Sequence, residues 1–168
     1  SRENVVLGTG ERDTLVGTAG HDYLSGLAGD DVLHGGDGDD LVHGDAGDDR
    51  LDGGAGHDHV YGEDGDDVLR GGSGDNRLEG GTGADTYVID TAIAGRDTIF
   101  DVDGTEASAS TLRFEGVAQS ELAIEPAGGA VTFSVAGLVR ARIVGYDAEG
   151  AIFAVETDDA RFDLYDAF

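Results

Sequence analysis

The chain has 168 residues and a formal net charge of −26, because 36 acidic residues outnumber 10 basic ones, all of them arginine. Such an acidic surface repels phosphates, so we expect no nucleic-acid partner. No apolar run approaches the roughly 18 to 20 residues of a membrane helix, so we expect no membrane-spanning segment. Without cysteine, disulfides and thiolate metal sites are excluded. The chain begins at Ser1 and contains no methionine, so we expect it to be part of a longer polypeptide.

After a lead-in of residues 1–7, a nine-residue period runs without a gap from residue 8 to residue 88. Glycine occupies position 1 of every unit, and position 4 of every unit except the first, where Glu11 stands. The nine units read GTGERDTLV, GTAGHDYLS, GLAGDDVLH, GGDGDDLVH, GDAGDDRLD, GGAGHDHVY, GEDGDDVLR, GGSGDNRLE and GGTGADTYV. A fixed period predicts a solenoid.

Position 8 of every unit is apolar, which predicts a very short strand at positions 7 to 9 with its middle side chain pointing inward. One apolar side chain per unit cannot form a core alone, so the units must stack, and two consecutive units make one coil. The predicted walls of the core are Leu15, Leu33, Leu51, Leu69 and Tyr87 on one side, and Leu24, Val42, Val60 and Leu78 on the other.

Positions 1 to 6 of each unit are predicted to form a loop, in which the glycines at positions 1 and 4 adopt positive φ angles. Position 6 carries a carboxylate in every unit but one. Its residues are Asp13, Asp22, Asp31, Asp40, Asp49, Asp58, Asp67, Asn76 and Asp85. Stacked carboxylates require a positive partner, and a hard cation with oxygen ligands suits loops that offer no cysteine.

The units resemble G-G-x-G-x-D-x-U-x, the calcium-binding nonapeptide of the RTX (repeats-in-toxin) family. The resemblance implies a parallel β-roll with Ca²⁺ held between one loop and the loop one coil further on. It also implies that the ligands are the position 6 side chains and carbonyl groups at positions 2 and 4. The glycines at these positions that we expect to contribute carbonyl ligands are Gly20, Gly29, Gly36, Gly38, Gly47, Gly54, Gly56, Gly65, Gly72, Gly74 and Gly83.

Pairing each position 6 side chain with its equivalent one coil later gives seven sandwiched calcium sites. Residues 8–88 contain 20 acids and 4 arginines, a net charge of −16, which the +14 of seven Ca²⁺ would nearly neutralise. Two departures predict weak sites. Asn76 removes a charge from the site shared with Asp58, and Glu11 removes a glycine from the loop of the site shared by Asp13 and Asp31.

The alternative reading of a Gly/Asp-rich stretch is a disordered, solvating linker, which we expect to describe the chain without calcium. The second aspartates at position 5 are predicted to lie outside the loops; they are Asp30, Asp39, Asp48, Asp66 and Asp75. Five histidines occupy variable positions and are predicted to be solvent-exposed rather than metal ligands; they are His21, His34, His43, His57 and His59. No catalytic signature is recognised, so we expect a non-catalytic module.

Residues 89–168 lack the period and are predicted to be β-rich. The runs predicted as strands are 98–103, 111–114, 121–125, 130–135, 141–146, 151–155 and 161–165. We favour a cap that covers the open end of the roll over an independent β-domain. The segments GADTYVIDTAIAGRDTIFDVDG and STLRFEGVAQSELAIE resemble the end of RTX arrays and the flank that follows them, which in that family nucleates calcium-driven folding. DLYDAF (163–168) is compatible with that family's type I secretion signal.

The resemblance predicts a calcium-binding module of a larger secreted bacterial protein, extracellular and monomeric, whose partner in transit is the type I secretion apparatus. Calcium at about 10⁻⁴ to 10⁻³ M outside the cell would drive its folding. The alternative is a polysaccharide-binding module that assists a carbohydrate-active enzyme, as RTX modules of alginate epimerases do. Tyr23 and Tyr61 are the exposed aromatic residues expected on the roll.

Overall fold

The computed structural model describes residues 4–100, 110–126, 130–144 and 154–163. The chain is all-β, and a single turn of 3₁₀ helix covers Gln119–Glu121. The strands are β1 (Asn4–Leu7), β2 (Thr14–Val16), β3 (Asp22–Ser25), β4 (Val32–Asp37), β5 (Leu41–Ala46), β6 (Arg50–Ala55), β7 (His59–Asp64), β8 (Val68–Ser73), β9 (Arg77–Thr82), β10 (Thr86–Asp90), β11 (Asp97–Phe100), β12 (Thr111–Glu115), β13 (Leu122–Pro126), β14 (Ala130–Val135), β15 (Leu138–Val144), β16 (Ala154–Glu156) and β17 (Arg161–Asp163).

Successive strands alternate between two sheets. The first sheet has the order β1-β3-β5-β7-β9-β11-β15-β14-β13, and the second has the order β17-β16-β12-β10-β8-β6-β4-β2. Within the repeats, each strand pairs in parallel with the strand one coil later, so that Leu33 lies opposite Leu51 and Val42 lies opposite Val60. The predicted parallel β-roll is confirmed, with about five turns spaced about 18 residues apart.

The core of the roll is a double file of position 8 side chains between the two sheets. Both predicted walls form, and every member except the partly buried Leu15 is at most 2% exposed. The narrow core explains why one apolar residue per unit suffices, because each side chain contacts its equivalents above and below. Among the described residues, no helix is long and apolar enough to cross a membrane.

The strands of the central repeats are longer than predicted. The six strands β4 to β9 each extend through positions 1 to 3 of the following unit, beyond the predicted positions 7 to 9. Gly36 pairs with Gly54, and Gly54 pairs with Gly72, in the same ladders as the apolar residues. The prediction that positions 1 to 6 form a loop is therefore wrong for positions 1 to 3 of these units, whereas positions 4 to 6 lie between the strands as predicted. A glycine-rich sequence has low strand propensity, and here the parallel neighbours on both sides override that propensity.

The predicted role of the position 1 glycines is also wrong. Positive φ angles occur at position 4, as in Gly47 (132°), and at position 2, as in Gly54 (104°), but at none of the described position 1 glycines. Even non-glycine residues at position 2 adopt this conformation, as Leu27 (76°) and Glu63 (79°) show. Positive φ angles thus occur at positions 2 and 4, and from residue 35 onwards position 1 is backbone within a strand.

The parallel ladders continue past the repeats into the second half of the chain. Ile99 in β11 lies opposite Leu78, and Leu112 in β12 lies opposite Tyr87. β15 and β16 add one more parallel strand to each sheet, and antiparallel strands follow at the ends, β14 and β13 in the first sheet and β17 in the second. The repeats and the second half therefore share one hydrophobic core.

Seven runs in the second half were predicted to be strands. Each of them overlaps an observed strand within the residues that the structure describes. Residues 1–3, 101–109, 127–129, 145–153 and 164–168 lie outside the described residues. They include most of the segment compared with a secretion signal.

Candidate metal centre

The position 6 side chains stack into two ladders, one along each row of loops. In each ladder the Oδ1 atom accepts a hydrogen bond from the backbone N–H of its equivalent one coil earlier. The Asp31 N–H donates to Asp49 Oδ1 at 2.7 Å, and the Asp40 N–H donates to Asp58 Oδ1 at 2.9 Å. One ladder contains Asp13, Asp31, Asp49, Asp67 and Asp85, and the other contains Asp22, Asp40, Asp58 and Asn76.

The second carboxylate oxygen, Oδ2, is left without a partner in the centre of the roll. Within the described part of the chain, five such atoms are buried and make no hydrogen bond; they belong to Asp31, Asp40, Asp49, Asp58 and Asp67. An unsatisfied buried polar atom costs about 1–3 kcal/mol, and more when it is charged. Five stacked copies of this arrangement indicate that the loops are built around a positive ion.

Burial raises the pKa of these carboxyl groups. Desolvation raises the pKa of Asp49 and Asp58 to about 6 and that of Asp67 to about 7, although each accepts a backbone hydrogen bond that lowers it. Desolvation also raises the pKa of Asp40. Neighbouring aspartates add a smaller upward contribution. Without a cation, burial in the folded roll therefore disfavours the charged form of these site residues.

Position 1 requires glycine, because neighbouring atoms lie too close to leave room for a Cβ atom. A Cβ atom on Gly44 would overlap both Asp49 Oδ2 in its own loop and the carbonyl oxygen of Gly62 in the next coil. At position 4, a Cβ atom on Gly47 would overlap the carbonyl oxygen of Gly29 in the preceding coil. Glycine therefore allows the loops to stack backbone against backbone, with carbonyl and carboxylate oxygens packed together.

This donor set fits a hard divalent cation. In the ranges that the structure describes, no three His, Asp or Glu side chains converge on one point, so side chains alone do not form a complete cation site there. Carbonyl and carboxylate oxygens suit Ca²⁺, which accepts six to eight oxygen ligands in flexible geometry. Zinc and copper sites favour sulfur or imidazole ligands, and the position 6 ladders contain neither.

A family model of the RTX calcium-binding nonapeptide repeat matches the chain in four overlapping copies, at residues 7–42, 25–60, 34–69 and 52–87. Residues 7–87 belong to the RTX family. RTX nonapeptide repeats bind calcium, which agrees with the oxygen-lined loops and the unpartnered carboxylate oxygens described above.

Three solved structures are similar to this chain. The extracellular lipase LipA from Serratia marcescens is 17% identical, with a TM-score of 0.35, over 88% of this chain and 38% of the lipase. The AlgE6R2 subunit from the Azotobacter vinelandii mannuronan C5-epimerase is 26% identical, with a TM-score of 0.45, over 68% of this chain and 88% of that subunit. The AlgE6R3 subunit of the same epimerase is 21% identical, with a TM-score of 0.29, over 81% of this chain and 71% of that subunit. No curated protein matches the chain in sequence.

The ladders of the RTX repeats extend one residue further than sequence reasoning found. Asp97 Oδ1 accepts a hydrogen bond from Asn76 Nδ2 at 2.9 Å, and Ser110 Oγ accepts one from the Asp85 N–H at 3.2 Å. The sequence does contain a signal for Asp97. Residues 95–99 read GRDTI, which is G-x-D-x-U displaced by three residues from the nine-residue phase. No such pattern precedes Ser110.

The other charged residues of the RTX loops lie on the outside. All five position 5 aspartates are exposed, as predicted, and so are His21, His34, His57 and His59. The prediction is wrong for His43, whose side chain is 21% exposed. Its ring stacks on Tyr61, with 4.9 Å between the centroids, because the two residues occupy the same outward position on neighbouring strands.

Proposed function

We propose that the chain is the calcium-dependent folding module of a larger secreted bacterial protein. In this proposal, Ca²⁺ binds between successive loops, held by the position 6 carboxylates together with carbonyl groups at positions 2 and 4. Binding converts an open chain into the β-roll after type I secretion and stabilises the exported protein. The module itself is monomeric and non-catalytic.

The observation that carries this proposal is the row of buried, unpartnered Oδ2 atoms. Folding without a cation would bury these atoms with no compensation, and the net charge of −26 would oppose compaction. Because a cation site exists only when the coils are stacked, the free energy of binding contributes directly to folding. A cytosol poor in calcium would leave the chain open for export, and calcium outside the cell would close it.

We propose that the second half of the chain caps the end of the roll. β11 and β12 cover the last repeats, and the antiparallel strands β13, β14 and β17 end the parallel ladders. The organisation that we propose is a lead-in at residues 1–7, a repeat segment at residues 8–88 and a capping flank at residues 89–168. A secretion signal near the end of the flank is part of the same proposal.

The decisive test is far-UV circular dichroism of the full chain in EDTA, followed by a calcium titration with magnesium as the control. We expect a coil spectrum in EDTA and a cooperative change to β structure with calcium alone. A complete β spectrum in EDTA at about pH 8, where the carboxyl groups are ionised, would refute calcium-dependent folding.

Two single variants then assign the ligands. Asp40→Ala and Asp58→Ala each remove a buried Oδ2 atom, so both should raise the calcium concentration at the midpoint of folding. Asp39→Ala is the matched control, because Asp39 is exposed and also accepts a backbone hydrogen bond, from the His57 N–H at 2.9 Å. Equal midpoints in all three variants would exclude the side chains at position 6 as ligands.

A second candidate function is polysaccharide binding by the outer face of the first sheet. Tyr23, His43 and Tyr61 form a continuous column there, with centroid separations of 5.5 Å and 4.9 Å. Partly exposed aromatic rings that lie one strand apart offer a stacking surface for sugar rings. In a glycan-binding assay at saturating calcium, Tyr61→Ala should weaken binding roughly tenfold, whereas Val32→Ala on the opposite sheet should not. Failure of the wild-type chain to retain any glycan would remove this candidate.

A further inference from the structure

Asn76 occupies the position that aspartate holds in the other eight repeats. Its Oδ1 atom accepts a hydrogen bond from the Asp58 N–H at 2.9 Å, as the Oδ1 atoms of the aspartates do from their own neighbours. That bond determines the orientation of the amide, because only the oxygen can accept from an N–H group. The Nδ2 atom therefore lies where an aspartate has its second oxygen. A Cβ atom on Gly71 would meet Asn76 Nδ2 just as one on Gly53 would meet Asp58 Oδ2.

From this position Asn76 Nδ2 contacts oxygen atoms directly. It donates to Asp97 Oδ1 at 2.9 Å and lies 3.4 Å from the carbonyl oxygens of Gly72 and Gly74, at positions 2 and 4 of its own loop. An aspartate Oδ2 atom at the same place would repel all three oxygens unless a cation joined them. The amide group is a donor and needs no cation.

We propose that the contact between Asn76 and Asp97 is a cation-free closure, in which one amide group replaces the metal ion that joins the central loops. The inference rests on the proposed function, because it specifies where calcium does not bind. Asp97 is buried, so the bond forms within the core of the molecule. The closure joins the last even-numbered repeat to the first strand of the flank, β11, without calcium.

At the opposite end of the roll, threonine hydroxyl groups donate hydrogen bonds to the Oδ2 atoms of the aspartates. Thr9 Oγ1 donates to Asp13 Oδ2 at 2.8 Å, and Thr18 Oγ1 donates to Asp22 Oδ2 at 2.9 Å. Both threonines stand at position 2, where the later units carry Gly, Leu, Asp or Glu. Each Oδ2 atom in the first coil thus has a protein donor, whereas the Oδ2 atoms of the central loops do not. Protein donors thus close both ladders in the first coil and the ladder of Asn76 at the other end, and the proposed cation sites lie between them.

The test compares three variants of the full chain by calcium stoichiometry, measured by isothermal titration calorimetry and native mass spectrometry, and by thermal unfolding. Asn76→Asp should bind one additional Ca²⁺, because it recreates the repeat ligand opposite Asp97. Asp97→Asn should leave the number of bound ions unchanged, since the new amide oxygen still accepts from Asn76. The exchanged pair, Asn76→Asp with Asp97→Asn, restores one donor and one acceptor and should match the wild-type number.

Loss of one Ca²⁺ in Asp97→Asn would overturn the proposal, because Asp97 would then be a ligand. An unchanged stoichiometry in Asn76→Asp would overturn it as well. If the wild-type chain bound no calcium, the proposed function would fail, and thermal unfolding would test the closure separately. Asn76→Asp should then lower the melting temperature and the exchanged pair should recover it, whereas equal melting temperatures would refute the closure.

Discussion

At the scale of single residues, the carboxylates and glycines of the repeat depend on each other. The position 6 carboxylate is buried against the Cα atom of the position 1 glycine of its own unit, so that Asp49 contacts Gly44. Burial leaves the Oδ2 atom without water and raises the pKa of the carboxyl group. A side chain at position 1 would displace the group that defines the candidate site. The glycine is therefore part of the site, although it supplies no side chain.

Substitution of Gly44 by alanine should abolish the local cation site and destabilise the roll by several kcal/mol, because the new Cβ atom meets backbone and carboxylate atoms on both sides. Gly10→Ala is the control, since a Cβ atom there has no neighbour within 4 Å. Urea unfolding at saturating calcium measures both variants. Equal stability of the two would contradict the close-approach role of position 1.

The raised pKa values predict that, in the absence of calcium, the stability of the folded state decreases as the pH rises. The pKa values of Asp49 and Asp58 in the folded chain are about 6 and those of Asp67 and Asp97 about 7, all above the ordinary 3.8. The folded state therefore binds protons that the unfolded state releases, so stability is present at low pH and decreases as the pH rises through about 6 to 7.

In EDTA, β structure should consequently increase on acidification from about pH 8 to about pH 4.5, as monitored by circular dichroism. At moderate calcium concentrations the same acidification should release the ion, because protons compete for its ligands. In the matched variant Asp58→Asn, the β structure formed in EDTA should depend less strongly on pH, because one buried carboxyl group no longer titrates. A spectrum in EDTA that is constant across this range would argue against buried carboxylates as the barrier to folding.

At the scale of elements, strands that cannot fold alone obtain stability from their neighbours. Each of the strands β4 to β9 contributes a single buried apolar side chain, and the glycines at its end have low strand propensity. The strands of the flank carry larger apolar residues and alternate in burial, as in β12 and β14. Phe114 of the second sheet and Phe133 of the first sheet meet across the core, with 5.4 Å between the ring centroids. The flank therefore supplies the bulkiest part of the hydrophobic core.

Phe133→Ala should destabilise the calcium-loaded chain by about 3–5 kcal/mol and raise the calcium midpoint of the repeats, because both halves share the core. The control is Leu138→Ala in the neighbouring strand, where the side chain is 60% exposed. A calcium titration monitored by circular dichroism gives the midpoint. If Phe133→Ala left it unchanged, the flank would fold independently and would not act as a cap on the repeats.

At the scale of the whole molecule, electrostatic repulsion opposes one continuous stack of strands. The chain carries a net charge of −26, and the aspartate ladders concentrate part of that charge inside the roll. Divalent ions in the ladders would neutralise charge where monovalent salt, excluded from the interior, could only screen the surface.

The radius of gyration should therefore fall from roughly 40 Å without calcium to roughly 15–20 Å with calcium, as measured by small-angle X-ray scattering. High sodium chloride should produce only a small part of this change. Compaction of equal size in sodium chloride alone would mean that general screening, rather than bound calcium, folds the chain.

Much of the repeat architecture is encoded locally. The period of nine and the apolar residue at position 8 were sufficient to predict a solenoid of two-unit coils and both walls of its core, because each unit repeats the same short-range requirements. The parallel β-roll and the pairing of the position 6 side chains were predicted from the resemblance to the RTX nonapeptide. The oxygen-rich loops likewise indicated a hard cation before any geometry was known. Exposure of the position 5 aspartates followed from the same repeat.

Only the tertiary structure determined how the coils contact one another. The extended backbone at position 1 and the positive φ of Leu27 are set by the coils stacked above and below, which local propensity does not include. The meeting of Asn76 with Asp97 depends on a displacement that breaks the nine-residue period, and Leu112 reaches Tyr87 across a stretch of unrelated sequence. These contacts follow from stacking and shared burial, and both arise only when the whole chain is folded.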